Sequence, residues 1–168
     1  MNAEELATIA TLIRSQRIAA LGTSRNDGPF VSMVAYAAEP DFGGFLLHLS
    51  RLAAHTKQLL AAPQSSLLIC EPDDGRDDVQ TLARITLVGE TVPIPAASAE
   101  HVAARACYLA RLPAAAPLFD FPDFALFRLV PSEARYIGGF ARTYTLTPEH
   151  LRRAAEAFAT ESTKGTEL

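Results

Sequence analysis

The chain has 168 residues, 49% of them apolar and 20% charged, which is close to the globular average and excludes both a disordered protein and a disulfide-stapled miniprotein. A globule of this length removes roughly 70% of its unfolded surface from water, enough for one real core. The net charge of −4 gives no footprint for general nucleic-acid binding, and no apolar run reaches the roughly 20 residues that cross a bilayer.

The N-terminal run MNAEELATIATLIRSQR carries early acids and no cleavage site, so a cytoplasmic protein without nucleic-acid or membrane partners is expected. Within it, Leu6, Ile9 and Ile13 recur at helical spacing, and Asn2 with Glu5 predicts a capping box opening a helix over 3–16. A strand over 18–23, a turn SRNDG whose Asp27-Gly28 pair favours positive φ, and a strand over 29–37 read as a hairpin, with a third strand over 45–49. Ser50 is placed to cap a short helix that Pro63 stops. Strands follow over 65–70 and 82–92, then a helix over 98–111 ended by Pro113, then strands over 124–131 and 134–140. Thr147-Pro148-Glu149 opens a last helix to about Phe158. Strands joined mostly by turns, without regular βαβ alternation, favour a mainly β, α+β fold: an antiparallel barrel with flanking helices, one domain over 1–160 and a flexible tail over 161–168.

Few residues offer chemistry of their own. Cys70 and Cys107 have no C-x-x-C spacing and read as buried small hydrophobes, and the four histidines form no metal-binding pattern, so no metal site is expected. The acidic run EPDDGRDD does not match a calcium loop and reads as a solvated turn. The most informative stretch is LLHLSRLAAHTK, where a strand runs into a helix displaying Ser50, Arg51, His55, Thr56 and Lys57. A helix start with such groups suits a phosphate; equally, Ser50 only caps while His55 and Lys57 are solvated. Arg84, inside the strand LARITLVGE, needs either an acid or a bound anion as partner. Ser32 is an ordinary strand serine or a donor to a ligand. No general acid/base pair and no catalytic motif is recognisable, so catalytic residues stay unassigned.

Four stretches, GPFVSMVAYA, LLHLSRLAAHTKQLLAAPQSSLLI, LARITLVGE and DFALFRLVPSEARYIGGFART, in this order and spacing resemble the pyridoxamine 5′-phosphate oxidase-like, FMN-binding split β-barrel family, in particular its haem-utilisation branch. The resemblance spans about residues 8–145 and implies FMN held at a homodimer interface. By position it assigns the backbone of Val31, Ser32, Met33 and Val34 to the flavin or its ribityl chain, Ser50, His55, Thr56 and Lys57 to the phosphate, and Arg84 to the flavin, with Lys57 and Arg84 converging. The second strand lacks the arginine and lysine of true pyridoxamine-phosphate oxidases, which argues against vitamin B6 oxidation. The sequence stops soon after its last helix, where the haem branch often adds a C-terminal domain, which argues against haem degradation. The implied activity is an FMN-dependent oxidoreductase acting on a small-molecule redox substrate; a non-catalytic FMN- or haem-binding module and a haem-degrading protein are the alternatives. Leu118–Phe127, apolar and aromatic, is either dimer interface or core.

Overall fold

The computed structural model describes residues 1–25, 28–139 and 142–164. Helix α1 (Ala3–Ser15) opens with the expected box: Asn2 Oδ1 accepts from the Glu5 amide at 2.9 Å, and Glu5 Oε2 accepts from the Asn2 amide at 2.8 Å. Strands β1 (Ile18–Arg25) and β2 (Gly28–Ala35) form the hairpin. Gly28 has φ +137°, while Asn26 and Asp27 lie outside the described residues. After β3 (Ala37–Ala38) and β4 (Phe45–Ser50) come α2 (Ala54–Ala61), β5 (Gln64–Cys70), β6 (Arg84–Pro93) and α3 (Ala99–Arg111). The chain then forms β7 (Phe124–Ile137), β8 (Thr143–Leu146) and α4 (Pro148–Lys164).

Among the described residues these strands make one antiparallel sheet in the order β2-β1-β5-β6-β7-β4-β3, with β8 on β7. Strand β3 continues β2 across the single residue Tyr36, so the two ends of the sheet belong to one extended segment and the sheet curls into a barrel. The barrel is split where β2 pairs only with β1 while β4, beyond its short ladder with β3, pairs only with β7. Alternate residues Leu21, Leu67, Ile69, Ile85, Leu87 and Leu129 fill the interior. Helices α1 and α4 pack together over one end, where the Tyr36 hydroxyl donates to the Ile13 carbonyl at 2.6 Å. Helix α2 closes the other, where the Thr23 hydroxyl donates to Gln58 Oε1 at 2.5 Å.

Several boundaries differ from the sequence expectation. The two strands expected over 124–131 and 134–140 are one: Pro131 lies opposite Gly89, at the register shift of the β6–β7 ladder, where a missing N–H is tolerated. Phe140 lies outside the described residues. Strand β8 and the 3-10 stretches Val79–Thr81 and Pro113–Asp120 had no strong periodic signal. Helix α4 runs past Phe158 to Lys164, and 165–168 of the expected tail lie outside the described residues. The segment Leu118–Phe127 divides: Leu126 and Phe127 are core, whereas Phe121 is exposed.

The 3-10 stretch lies over a second small core between β4 and α3. There His48 is buried and stacks flat on Phe119, with ring centroids 3.8 Å apart, against the edge of Tyr108. Its Nδ1 has no hydrogen-bond partner among the described residues. Burial, reinforced by His101 and Arg105, pushes the His48 pKa down to about 4. The unfolded value is about 6.5, so the native state favours neutral His48; its contribution is present above that value and is lost as pH falls towards 4. Urea midpoints between pH 7 and pH 4.5 should therefore fall more steeply for the wild type than for His48→Phe. A second expectation concerns the bulge. A Cβ on Gly89 would collide with the Val130 carbonyl, so Gly89→Ala should cost about 1–3 kcal/mol and lower the Tm by several degrees.

Candidate functional site

Strand alternation turns one set of side chains of β1, β2, β5 and β6 out of the barrel. Register places Met33, Ala20, Leu68 and Thr86 in one cross-strand row, and Val31, Gly22, Ser66 and Val88 in the next. On this face Ile18, Val31 and Met33 are 57%, 67% and 69% exposed. They border a hollow of about 400 Å³ whose other walls include Leu68 and Cys70. Contiguous exposed apolar surface of this kind marks a binding face.

At the split the polar groups gather. Because β2 has a neighbour on one side only, alternate backbone groups along Val31–Val34 have no sheet partner. Ser32, half-buried on the inner side of β2, lies 3.0 Å from His55 Nδ1 on α2. Burial holds His55 below the ordinary histidine pKa, so its ring is neutral at pH 7. The residue before α2, Ala53, supplies no side-chain cap, which leaves the amides of the first turn without the usual oxygen. Lys57 stands exposed one turn further on.

Of the residues expected at the site, Ser32, His55 and Lys57 are thus gathered around the start of α2, and Val31 and Met33 face the outer hollow. Val34 is core, so only its backbone is available to a ligand. Ser50 does not cap α2. It ends β4, donates to Asp123 Oδ2 at 2.6 Å and accepts from the Leu52 amide, and the turn closed by Ala53 N–H to the Ser50 carbonyl delays the helix to Ala54. The Thr56 side chain turns inward, fully buried, and its hydroxyl has no partner among the described residues. Arg84 has no carboxylate partner among the described residues: one of its terminal amino groups donates to the carbonyls of Gln80 at 3.0 Å and Leu82 at 2.9 Å, tying down the loop before β6.

Nor do Lys57 and Arg84 converge within one chain. Helix α2 is bound at Thr23, which is level with Ser65, whereas Arg84 is level with Cys70 and on the outer face. Five residues of strand put roughly 17 Å between the two levels. The Thr23–Gln58 bond, which fixes α2 across the split, was missed in the sequence because a strand threonine and a helix glutamine 35 positions apart carry no local signal.

The curled antiparallel sheet with helices at its ends defines a split β-barrel. The chain belongs to the CREG β-barrel family, whose family model matches residues 1–151. It is 38% identical over 130 residues to the chloroplastic non-canonical heme oxygenase HOZ of Arabidopsis thaliana, covering 77% of this chain but 38% of that protein. The heme binding protein from Mycobacterium smegmatis superposes with a TM-score of 0.78 at 30% identity, over 90% of this chain and 60% of the other. A Clostridium acetobutylicum protein of the pyridoxinephosphate oxidase family shares the fold, with a TM-score of 0.68 at 16% identity, over 90% and 99% of the two chains. The fold is thus shared with a protein of the pyridoxinephosphate oxidase family, while the two relatives at 38% and 30% identity are named for haem.

The enclosed Thr56 hydroxyl yields a test. Replacing an unpaired buried hydroxyl by a methyl of the same shape removes a desolvation cost, so Thr56→Val should leave the Tm of the cofactor-free protein unchanged or raise it by about 1 kcal/mol of stability. A loss of stability in thermal melts would mean that the hydroxyl finds a partner in solution.

Proposed function

We propose that this chain is an FMN-binding flavoprotein acting as an oxidoreductase, with its site completed by a second copy of the chain. The observation that carries the reading is the uncapped start of α2 beside the Ser32–His55 pair, the open edge of β2 and the exposed Lys57. Free amides at a helix start and a nearby ammonium group suit a dianionic phosphate. The unpaired backbone groups of Val31–Val34 suit the amide-like edge of a flavin ring or the hydroxyls of a ribityl chain. The residues present therefore fit the group.

FMN, when bound, supplies hydride and single-electron transfer to a small-molecule redox substrate. The chain's own part is to bind and orient. Lys57 and the α2 amides hold the anionic end, and the neutral His55 ring, fixed by Ser32, offers a hydrogen bond without adding charge. The apolar outer face excludes water. A homodimer follows from that face: Ile18, Val31, Met33 and Val88 form a surface of the kind that self-association covers. A second copy would also bring an outer-face Arg84 to a site that the chain's own Arg84 does not reach. A cytoplasmic setting belongs to the same reading; no described helix is long and apolar enough to cross a membrane.

Haem is the second reading. It is favoured by the flat apolar hollow and by relatives at 38% and 30% identity that are named for haem. This chain spans only part of those proteins, and no histidine of the described residues lines that hollow.

Absorbance and mass of the small molecule that co-purifies with the protein separate the two. Added FMN should bind at micromolar concentration, and Lys57→Ala should weaken it roughly 10-fold to 150-fold, the worth of one charge-assisted hydrogen bond. A Soret shift with haemin and no flavin binding would replace the first reading by the second. Light scattering should give about twice 18.1 kDa for the wild type, and one unit for Met33→Glu. A wild-type monomer would remove the dimeric site.

A further inference from the structure

A second pocket, of about 440 Å³, opens between the last turn of α1, the β2–β4 connection and α3. It shares no lining residue with the outer-face hollow. Its floor is apolar, formed by Ile13, the Tyr36 ring, Ala38 and the Cys107 side chain, and its charged groups are Arg14 and Arg111. No carboxylate lines it.

Both arginines are anchored at one point and left with donors to spare. One terminal amino group of Arg14 donates to the Pro40 carbonyl at 2.7 Å, while the guanidinium lies 4.7 Å from the Phe42 ring centroid and 5.3 Å from that of Phe158. Its Nε–H is buried and has no hydrogen-bond partner among the described residues. One amino group of Arg111 donates to the last carbonyls of α1, at Ser15 and Gln16, 3.1 and 2.9 Å away. Among the described residues neither arginine has a carboxylate partner. The acid near the pocket, Glu39, is held instead by Arg128 through Nε at 3.0 Å and a terminal amino group at 2.6 Å. Burial, with the neighbouring Arg111 adding to it, disfavours the charge on Arg14. Two like charges over an apolar floor, with no carboxylate partner among the described residues, are costly to keep, and a bound anion removes that cost.

We infer that this pocket is a binding site for a small organic anion, a carboxylate or phosphate monoester on a flat apolar body, held by Arg14 and Arg111. The planar guanidinium fork matches either oxyanion, and the volume falls in the range of small-molecule sites. The site is independent of the flavin reading, because it uses neither α2 nor the outer face.

Cys107 in the pocket provides the readout. The protein, as purified, is alkylated with N-ethylmaleimide, and the rate at Cys107 is followed by peptide mass with and without added anion. Benzoate and phenyl phosphate are the two arms; protection by either supports the site, and their order tells which oxyanion it prefers. Benzyl alcohol, of similar shape and uncharged, should protect at least 10-fold less well. Arg111→Gln should raise the half-protecting anion concentration roughly 10-fold, as expected for one lost charge-assisted bond, and Arg111→Lys should fall between. Ala110→Glu, at an exposed helix position on the pocket wall, places a carboxylate beside the arginines and should abolish protection even if Arg111→Gln proves unstable. Protection by neither anion, equal protection by benzyl alcohol, or protection unchanged in Ala110→Glu would overturn the inference.

Discussion

The architecture depends on one extended segment, Gly28–Ala38, that serves both ends of the sheet. Its first eight residues pair with β1 and its last two with β4, and Tyr36 lies between them. A sheet whose two ends are one strand has to curl, and curling gives the apolar alternate residues a common interior. Tyr36 fixes the bend by burying its ring against Phe45 and passing its hydroxyl to the end of α1. The same bend pulls β2 away from β4, so the split and the free edge of β2 are consequences of closure.

Curling also produces two unlike outer surfaces. Where β1, β2, β5 and β6 run side by side, with no helix over their outer face among the described residues, the outward rows keep Ile18, Val31, Met33, Leu68 and Val88 exposed. Over β3, β4 and the end of β7, α3 and the 3-10 stretch after it cover the sheet, and His48 sits in the layer between, neutral because it is buried. Arg128 binds this second layer from the edge, reaching Glu39 before β4 and Glu100 on α3. One element away, among the described residues, Arg14 and Arg111 bond backbone carbonyls rather than carboxylates, and Arg14 also lies over the Phe42 and Phe158 rings.

Much of the barrel was legible because long elements announce themselves by periodicity: α1 by its box and stripe, β6 by alternation, α3 by its start at Ser98 and stop at Pro113. What escaped was governed by contacts distant in sequence. Ser50 looks like a helix cap until Asp123, 73 positions away, takes its hydroxyl. Pro131 looks like the end of a strand until Gly89 across the ladder supplies the bulge that accommodates it. Arg84 looks like half of an ion pair, yet backbone carbonyls of the preceding loop satisfy it. The start of α2 was found by its residue types, but helix phase decides where each side chain goes: His55 turns to Ser32, Lys57 to solvent, and Thr56 between them into the core.

The ambiguity between flavin and haem has a physical origin in how this site is made. Its components are an open strand edge, an uncapped helix start and an apolar sheet face, none of which depends strongly on particular side chains. Backbone amides bind any suitably placed oxyanion, and an apolar face accepts any flat ring system of the right size. Such a site leaves a weak motif in the sequence, because most of what binds is main chain or interchangeable aliphatic surface. In the proposed site, selectivity then falls to the few polar side chains at the rim, Ser32, His55 and Lys57. On the proposed reading the barrel fixes where a planar anionic cofactor would lie, and the rim decides which one.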